Sequence, residues 1–107
     1  MTPTESLQII NCDPTLSTEA EVQDALTLIA EVDLFSQEQS DMICDCYQRG
    51  PIHDGDLTSA VARDLLVRGG YLSRVVMRGD EGYNACTYRG ASAYQLIVTR
   101  STIESRP

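Results

Sequence analysis

Lysine and tryptophan are absent from this chain of 107 residues, and histidine and phenylalanine occur once each, as His53 and Phe35. A structural zinc site wants about four ligands. His53, Asp54 and Asp56 make the single local cluster of candidate ligands, and an EF-hand loop opening at Asp54 would need a carboxylate where Leu65 stands. No glycine fingerprint for phosphate is present: Gly69-Gly70, Gly79 and Gly82 have the spacing of a helix stop and a hairpin turn. No elbow or supporting pattern marks a cysteine as an activated nucleophile. These absences predict no enzyme activity, no metal and no cofactor.

Long apolar runs are missing too. No segment approaches the roughly 20 apolar residues that span a bilayer, and the start lacks a basic region followed by an apolar stretch. A cytoplasmic protein is expected. Cys12, Cys44, Cys46 and Cys86 are too few and too irregularly spaced for a secreted disulfide framework, and they read as reduced thiols.

What is present is charge of one sign in one place. Ahead of Arg49 stand ten acids, Glu5, Asp13, Glu19, Glu21, Asp24, Glu31, Asp33, Glu38, Asp41 and Asp45, with no base among them. From Arg49 onward eight arginines meet six acids, so the parts carry −10 and +2, or −8 together. Such a first part repels a polyanion within a Debye length, about 8 Å at physiological salt, and attracts a cationic protein groove. The expectation is one contiguous negative side, with the arginines gathered elsewhere.

The apolar pattern predicts one domain over 17–98, an amino-terminal extension over 1–16 and a carboxyl-terminal tail over 99–107. Leu7, Ile9 and Ile10 read as a short strand or ordered tail. Thr18 with Glu21 is a capping box for a helix whose inner stripe is Val22, Ala25, Leu26, Ile29 and Val32. Ser36 and Gln39 cap a second helix, with Met42, Ile43, Cys46 and Tyr47 inward, that stops at Gly50-Pro51. Ile52 to Asp56 reads as a turn-rich link, and Asp56 as the cap of a third helix with Leu57, Val61 and Leu65 inward, ended by Gly69-Gly70. Tyr71–Arg78 and Tyr83–Tyr88 form a β-hairpin around Gly79-Asp80-Glu81-Gly82. Tyr94–Thr99 has strand propensity but also the spacing of a helix capped from Thr87; the helix is preferred.

This order of elements, with Leu65-Leu66-Val67-Arg68-Gly69-Gly70-Tyr71-Leu72 before the hairpin and Thr87-Tyr88-Arg89-Gly90-Ala91-Ser92-Ala93-Tyr94 after it, resembles the winged-helix superfamily over about residues 36–98. The resemblance implies an α+β fold of three or four helices with a carboxyl-terminal β-hairpin wing. It also implies a duplex-DNA regulator, dimeric through its terminal elements, as one function to weigh. Between Gly50 and Gly69, however, a complete helix-turn-helix barely fits, so the supporting helix is expected to shrink to a loop.

Two functions remain after this reading. The leading one is a non-enzymatic acidic protein, of the kind phages and other mobile elements encode as DNA mimics, that inhibits or regulates a nucleic-acid-handling complex through protein–protein contact. Its docking residues would be Glu19, Glu21, Asp24, Glu31, Glu38, Asp41 and Asp45, replacing phosphate on a basic partner surface. The alternative is a winged-helix transcriptional regulator touching DNA through Arg63, Arg74 and Arg78.

Overall fold

Three helices open on the same reciprocal device. Thr2 with Glu5, Thr18 with Glu21 and Ser36 with Gln39 each form a capping box, in which the hydroxyl accepts from the third helical N–H and the longer side chain returns to the cap's own N–H. They start α1 (Pro3–Ile9), α2 (Glu19–Asp33) and α3 (Gln37–Arg49). The computed structural model describes residues 2–79 and 81–104, the side chains of Met77, Arg78 and Glu104 excepted. Leu7 and Ile9 therefore belong to a helix, and Ile10 caps its end, where a short strand or tail was expected. The local signal was Thr2-Pro3 with Glu5 behind it: proline at the first helical position gives up an N–H that no helix would bond. Leu7 from this segment is buried in the core.

α2 turns Ala25, Leu28, Ile29 and Val32 inward, and α3 turns Met42, Ile43 and Cys46 inward. After Gly50 the chain does not simply loop. Ile52–His53 forms a short strand, β1, and Asp54–Asp56 a single 3-10 turn. The next helix, α4 (Ala60–Arg68), is capped by Ser59, whose hydroxyl accepts from the Ala62 N–H at 3.1 Å. The expected cap at Asp56 is thus replaced by one three residues later. The helix also presents a different face to the core: Ala62 and Leu66 are buried, while Val61 is 71% and Leu65 48% exposed, contrary to the stripe expected from the sequence.

Gly69 and Gly70 end α4 as expected. Tyr71 N–H reaches back to the Leu66 carbonyl at 2.9 Å and Gly70 N–H to Val67 at 3.1 Å. This Schellman closure places Gly70 at φ +81°, where a Cβ is disfavoured. β2 (Leu72–Arg78) and β3 (Glu81–Cys86) pair antiparallel, Leu72 opposite Cys86 and Val75 opposite Tyr83, with an irregularity between Val76 and Arg78. Glu81 and Gly82, expected in the turn, belong to β3; Asp80 lies outside the described residues. β1 pairs with the other edge of β3, Ile52 opposite Asn84, so the sheet order is β1-β3-β2.

The last element, α5 (Tyr88–Glu104), is helical through residues 94–99 and beyond the point where a tail was expected. Its cap joins it to the end of α4. Thr87 donates its hydroxyl to the Gly70 carbonyl, accepts from Gly90 N–H at 3.1 Å, and sends its own N–H to Tyr71 O at 3.1 Å. Gly90 consequently lies so close to that strand entry that an added Cβ would stand 2.1 Å from Tyr71 O. The fold is α+β; among the described residues it has five α-helices against the three or four expected, and a three-stranded sheet in place of a lone hairpin. Ile43, Leu66 and Leu96, one each from α3, α4 and α5, are fully buried at its centre.

Both glycines generate a stability prediction. Gly70→Ala imposes the left-handed conformation on a side chain that otherwise has room, a cost of about 1 kcal/mol. Gly90→Ala must push α5 away from β2 and lowers the urea midpoint further; an effect equal to or below that of Gly70→Ala would contradict the close approach.

Candidate functional site

Asp54 opens the turn after β1, and around its carboxylate α4, β2 and β3 each bring a donor. Arg74 of β2 places Nε 3.1 Å from both carboxylate oxygens and adds its Nη2 to Oδ2. Arg63 of α4 brings Nη1 to 3.2 Å of Oδ1, and Gly82 of β3 donates its N–H at 2.9 Å. Asn84, fully buried on β3, donates Nδ2 to Asp54 Oδ1 at 2.8 Å and to Ile52 O at 3.2 Å. Because both neighbours are acceptors, the amide must turn its NH2 towards them, which leaves Asn84 Oδ1 without a hydrogen-bond partner. The Asp54 and Arg63 side chains are 17% and 16% exposed. The Arg74 hydrogen bonds, followed by that of Asn84, hold the Asp54 carboxyl well below the usual carboxylate range.

The structure thus brings two of the expected nucleic-acid contacts, Arg63 and Arg74, together on an internal anion. Arg63 also faces Asp64 at 2.9 Å. Arg78 lies in β2 with its side chain outside the described residues. The outward face of α4 is left with Val61, Asp64, Leu65 and Arg68. Nothing local in the sequence marked Asp54 as a hub: its partners stand 9 to 30 positions away, and His53-Asp54-Gly55-Asp56 carries the composition of an ordinary turn.

A second node crosses from α5 to α2. Arg89 Nη2 reaches Glu31 Oε1 at 2.8 Å, its Nη1 lies 3.4 Å from Asp24, and the guanidinium sits 4.8 Å from the Tyr71 ring centroid. Burial works against charge on Arg89, but Glu31, Tyr71 and Asp24 together outweigh it, so its pKa rises. Tyr71 donates its hydroxyl to Glu31 at 3.2 Å, and burial pushes that phenol up to about 12. Further along α5, Arg100 pairs with Asp33 of α2, and within α3 Arg49 lies 3.5 Å from Asp45.

The separation of charge expected from the sequence is therefore incomplete. Asp24, Glu31 and Asp45, three of the seven expected docking acids, have a guanidinium beside them. Glu19, Glu21, Glu38 and Asp41 are exposed and in no ion pair among the described residues. Of these, Glu21 is held by its cap and Asp41 accepts from Gln37 Nε2 at 2.8 Å.

The thiols are quiet. Burial raises Cys46 to about 11 and Cys86 to about 12, and burial with Asp41 and Asp45 raises Cys44, so at neutral pH these three are protonated. Cys86 donates weakly to Ile43 O at 3.5 Å. His53 accepts the Gly55 N–H on Nδ1 at 3.0 Å and lies edge-on to Tyr83. Among the described residues no three His, Cys, Asp or Glu side chains converge as a metal site would require.

The Asp54 cluster predicts a pH signature. An aspartate with a depressed folded pKa gives stability that is complete above its unfolded value, about 3.9, and lost as pH falls through the folded one. Asp54→Asn is expected to lower the melting temperature by more than about 5 °C near neutrality. The gap between variant and wild type should narrow once pH falls below about 4; a gap constant down to the acid transition would rule out an ionised Asp54 as the centre.

No protein-family model, curated protein or solved structure matches the chain.

Proposed function

We propose that this chain is a non-enzymatic, winged-helix-like interaction protein that docks on a basic protein surface and so inhibits or regulates a nucleic-acid-handling complex. The order α3, β1, one helical turn, α4, β2, β3, with sheet order β1-β3-β2, supports the winged-helix-like reading. In it the turn Asp54–Asp56 stands where the supporting helix of a helix-turn-helix would run, and α4 stands in the recognition position.

The observation that carries the functional reading is the occupation of Arg63 and Arg74 by Asp54. Duplex binding rests on cations free to replace counterions along phosphate. Here these two are already on a carboxylate, and α4 offers the grooves Val61, Asp64 and Leu65 beside Arg68. Base reading wants bidentate donors, which that face lacks apart from one arginine. The overall charge of −8 favours a cationic partner instead. Glu19, Glu21, Glu38 and Asp41, in no ion pair among the described residues, are the freest to stand in for phosphate there, and Asp24, 77% exposed beyond its contact with Arg89, keeps an open side. Among the described residues no helix is long and apolar enough to cross a membrane, and four free thiols fit a cytoplasmic setting.

Two measurements test this. Fluorescence anisotropy with random and genomic duplexes is expected to show no binding even near 50 mM salt, roughly where phosphate attraction is strong; a salt-dependent rise would overturn the reading in favour of DNA. Once a partner is captured from the native host after nuclease treatment, Glu19→Arg, Glu38→Arg and Asp41→Arg together should slow association about tenfold or more at low salt, and unchanged kinetics would reject docking through these acids.

A further inference from the structure

The connection between α1 and α2 turns on Asn11, one of the described residues at positive φ, +59°, a conformation that asparagine tolerates better than most side chains. Beside this turn, α2 and the first turn of α5 enclose a groove of about 260 Å³. Two further hollows share lining residues with it: one of about 610 Å³ beside α1, bordered like the groove by Asn11 and Cys12, and one of about 120 Å³ along α5, bordered like it by Ile10 and Tyr88.

Its chemistry has two parts. The floor is apolar, with Ala25 and Leu28 buried, and Tyr88 lines it while remaining 86% exposed, so the ring stands at the rim. The wall is acidic: Glu21 and Asp24 lie three residues apart on α2, hence on one face. Among the described residues Arg89 is the one cation lining it, and that guanidinium is turned inward, 21% exposed, closest to Glu31 and against the Tyr71 ring. Glu21 is in no ion pair among the described residues, and the Asp24 side chain is 77% exposed beyond its 3.4 Å contact with Arg89. An exposed aromatic ring beside two carboxylates above an apolar floor suits an arginine or lysine: the charge meets the acids, the ring takes the cation or its stem, and the neighbouring apolar residue meets the floor.

We propose that this groove receives an extended, arginine- or lysine-bearing segment of the basic partner, its cation lying between Glu21 and Asp24 and against Tyr88. The inference rests on the docking reading above and adds one defined site to it, on α2 with the start of α5; a short peptide reads this site alone, whereas a whole partner also meets Glu38 and Asp41 on α3.

The test uses the full chain, isotope-labelled for amide NMR, titrated near 50 mM salt with a short capped peptide alternating arginine and leucine; the low salt keeps screening weak, the Debye length being roughly 14 Å there. Its glutamate–leucine counterpart serves as the control. Shifts are expected at Ile10 to Cys12, Glu21 to Leu28 and Tyr88 to Ser92. Tyr88→Ala, and Glu21→Gln with Asp24→Asn, should each weaken binding about fivefold or more, while Glu38→Gln with Asp41→Asn stays within about twofold. These substitutions are at exposed positions, and glutamine retains the Thr18 cap, so folding is preserved; unchanged amide spectra of the free variants check it. If the α3 variant weakens binding and the groove variants do not, or if shifts spread evenly over all the acids, the groove is overturned while docking through acids stands. A peptide that fails to bind at all overturns the groove, while docking through the other acids is decided by the partner kinetics above; equal binding of the glutamate–leucine control overturns the acidic character of the site.

Discussion

A carboxylate shielded from water must be matched by donors, and in this protein the matching of Asp54 decides how the hairpin meets α4. Removing either charge from such a pair leaves the other desolvated and unpaired, which costs more than the pair itself contributes. The network therefore acts as a geometric constraint: Arg63, Arg74, Gly82 and Asn84 must all converge on one point, and that fixes the hairpin and β1 against the helix. β1 is two residues long and the turn that follows it a single helical loop, and of these five residues Ile52 alone is buried, so apolar burial gives that corner little to hold it. The same constraint turns two arginines away from solvent and leaves α4 an outer face on which valine and leucine are conspicuous.

The opposite side is tied differently. Arg89 joins α5 to α2 through Glu31, Asp24 and the Tyr71 ring, and Thr87 stitches the start of α5 to the stop of α4. These contacts lie nearer to solvent, where ion pairs contribute little individually. Their consequence is electrostatic: they subtract Asp24, Glu31 and Asp33 in part from the acidic potential of the amino-terminal half. Of the acids in no ion pair among the described residues, Glu5, Glu19, Glu21 and Glu38 stand in the opening turns of α1, α2 and α3, where they meet the positive ends of the helix dipoles. The unpaired negative surface is therefore smaller than the residue count alone would give.

Helix entries and exits were legible because they are local. Thr18-x-x-Glu21, Ser36-x-x-Gln39, Gly69-Gly70 and Thr87-x-x-Gly90 satisfy backbone groups within a few residues, so their meaning does not depend on the rest of the chain. The same logic was available at Thr2-Pro3-x-Glu5 for α1. By contrast β1 is too short for any periodicity to reveal, and it exists because Asn84 and Tyr83 of β3 pair with it across thirty residues. The inward face of α4 is not legible locally for a related reason: Asp56 and Ser59 are both competent caps, and only the packing of Ala62 and Leu66 chooses between them.

The sequence by itself determined the α+β composition, the principal helix boundaries, the hairpin and the excess of negative charge, since each follows from neighbouring residues or from a sum over the chain. Tertiary structure alone decided which charges are available. Whether an arginine faces water or a carboxylate depends on distances between segments far apart in sequence, and a charge brought beside its opposite loses most of its reach into solvent. Asp54 took Arg63 and Arg74 out of play on that ground, and the meeting of α1, α2 and α5 made a groove of Glu21, Asp24 and Tyr88 that no spacing in the chain announces.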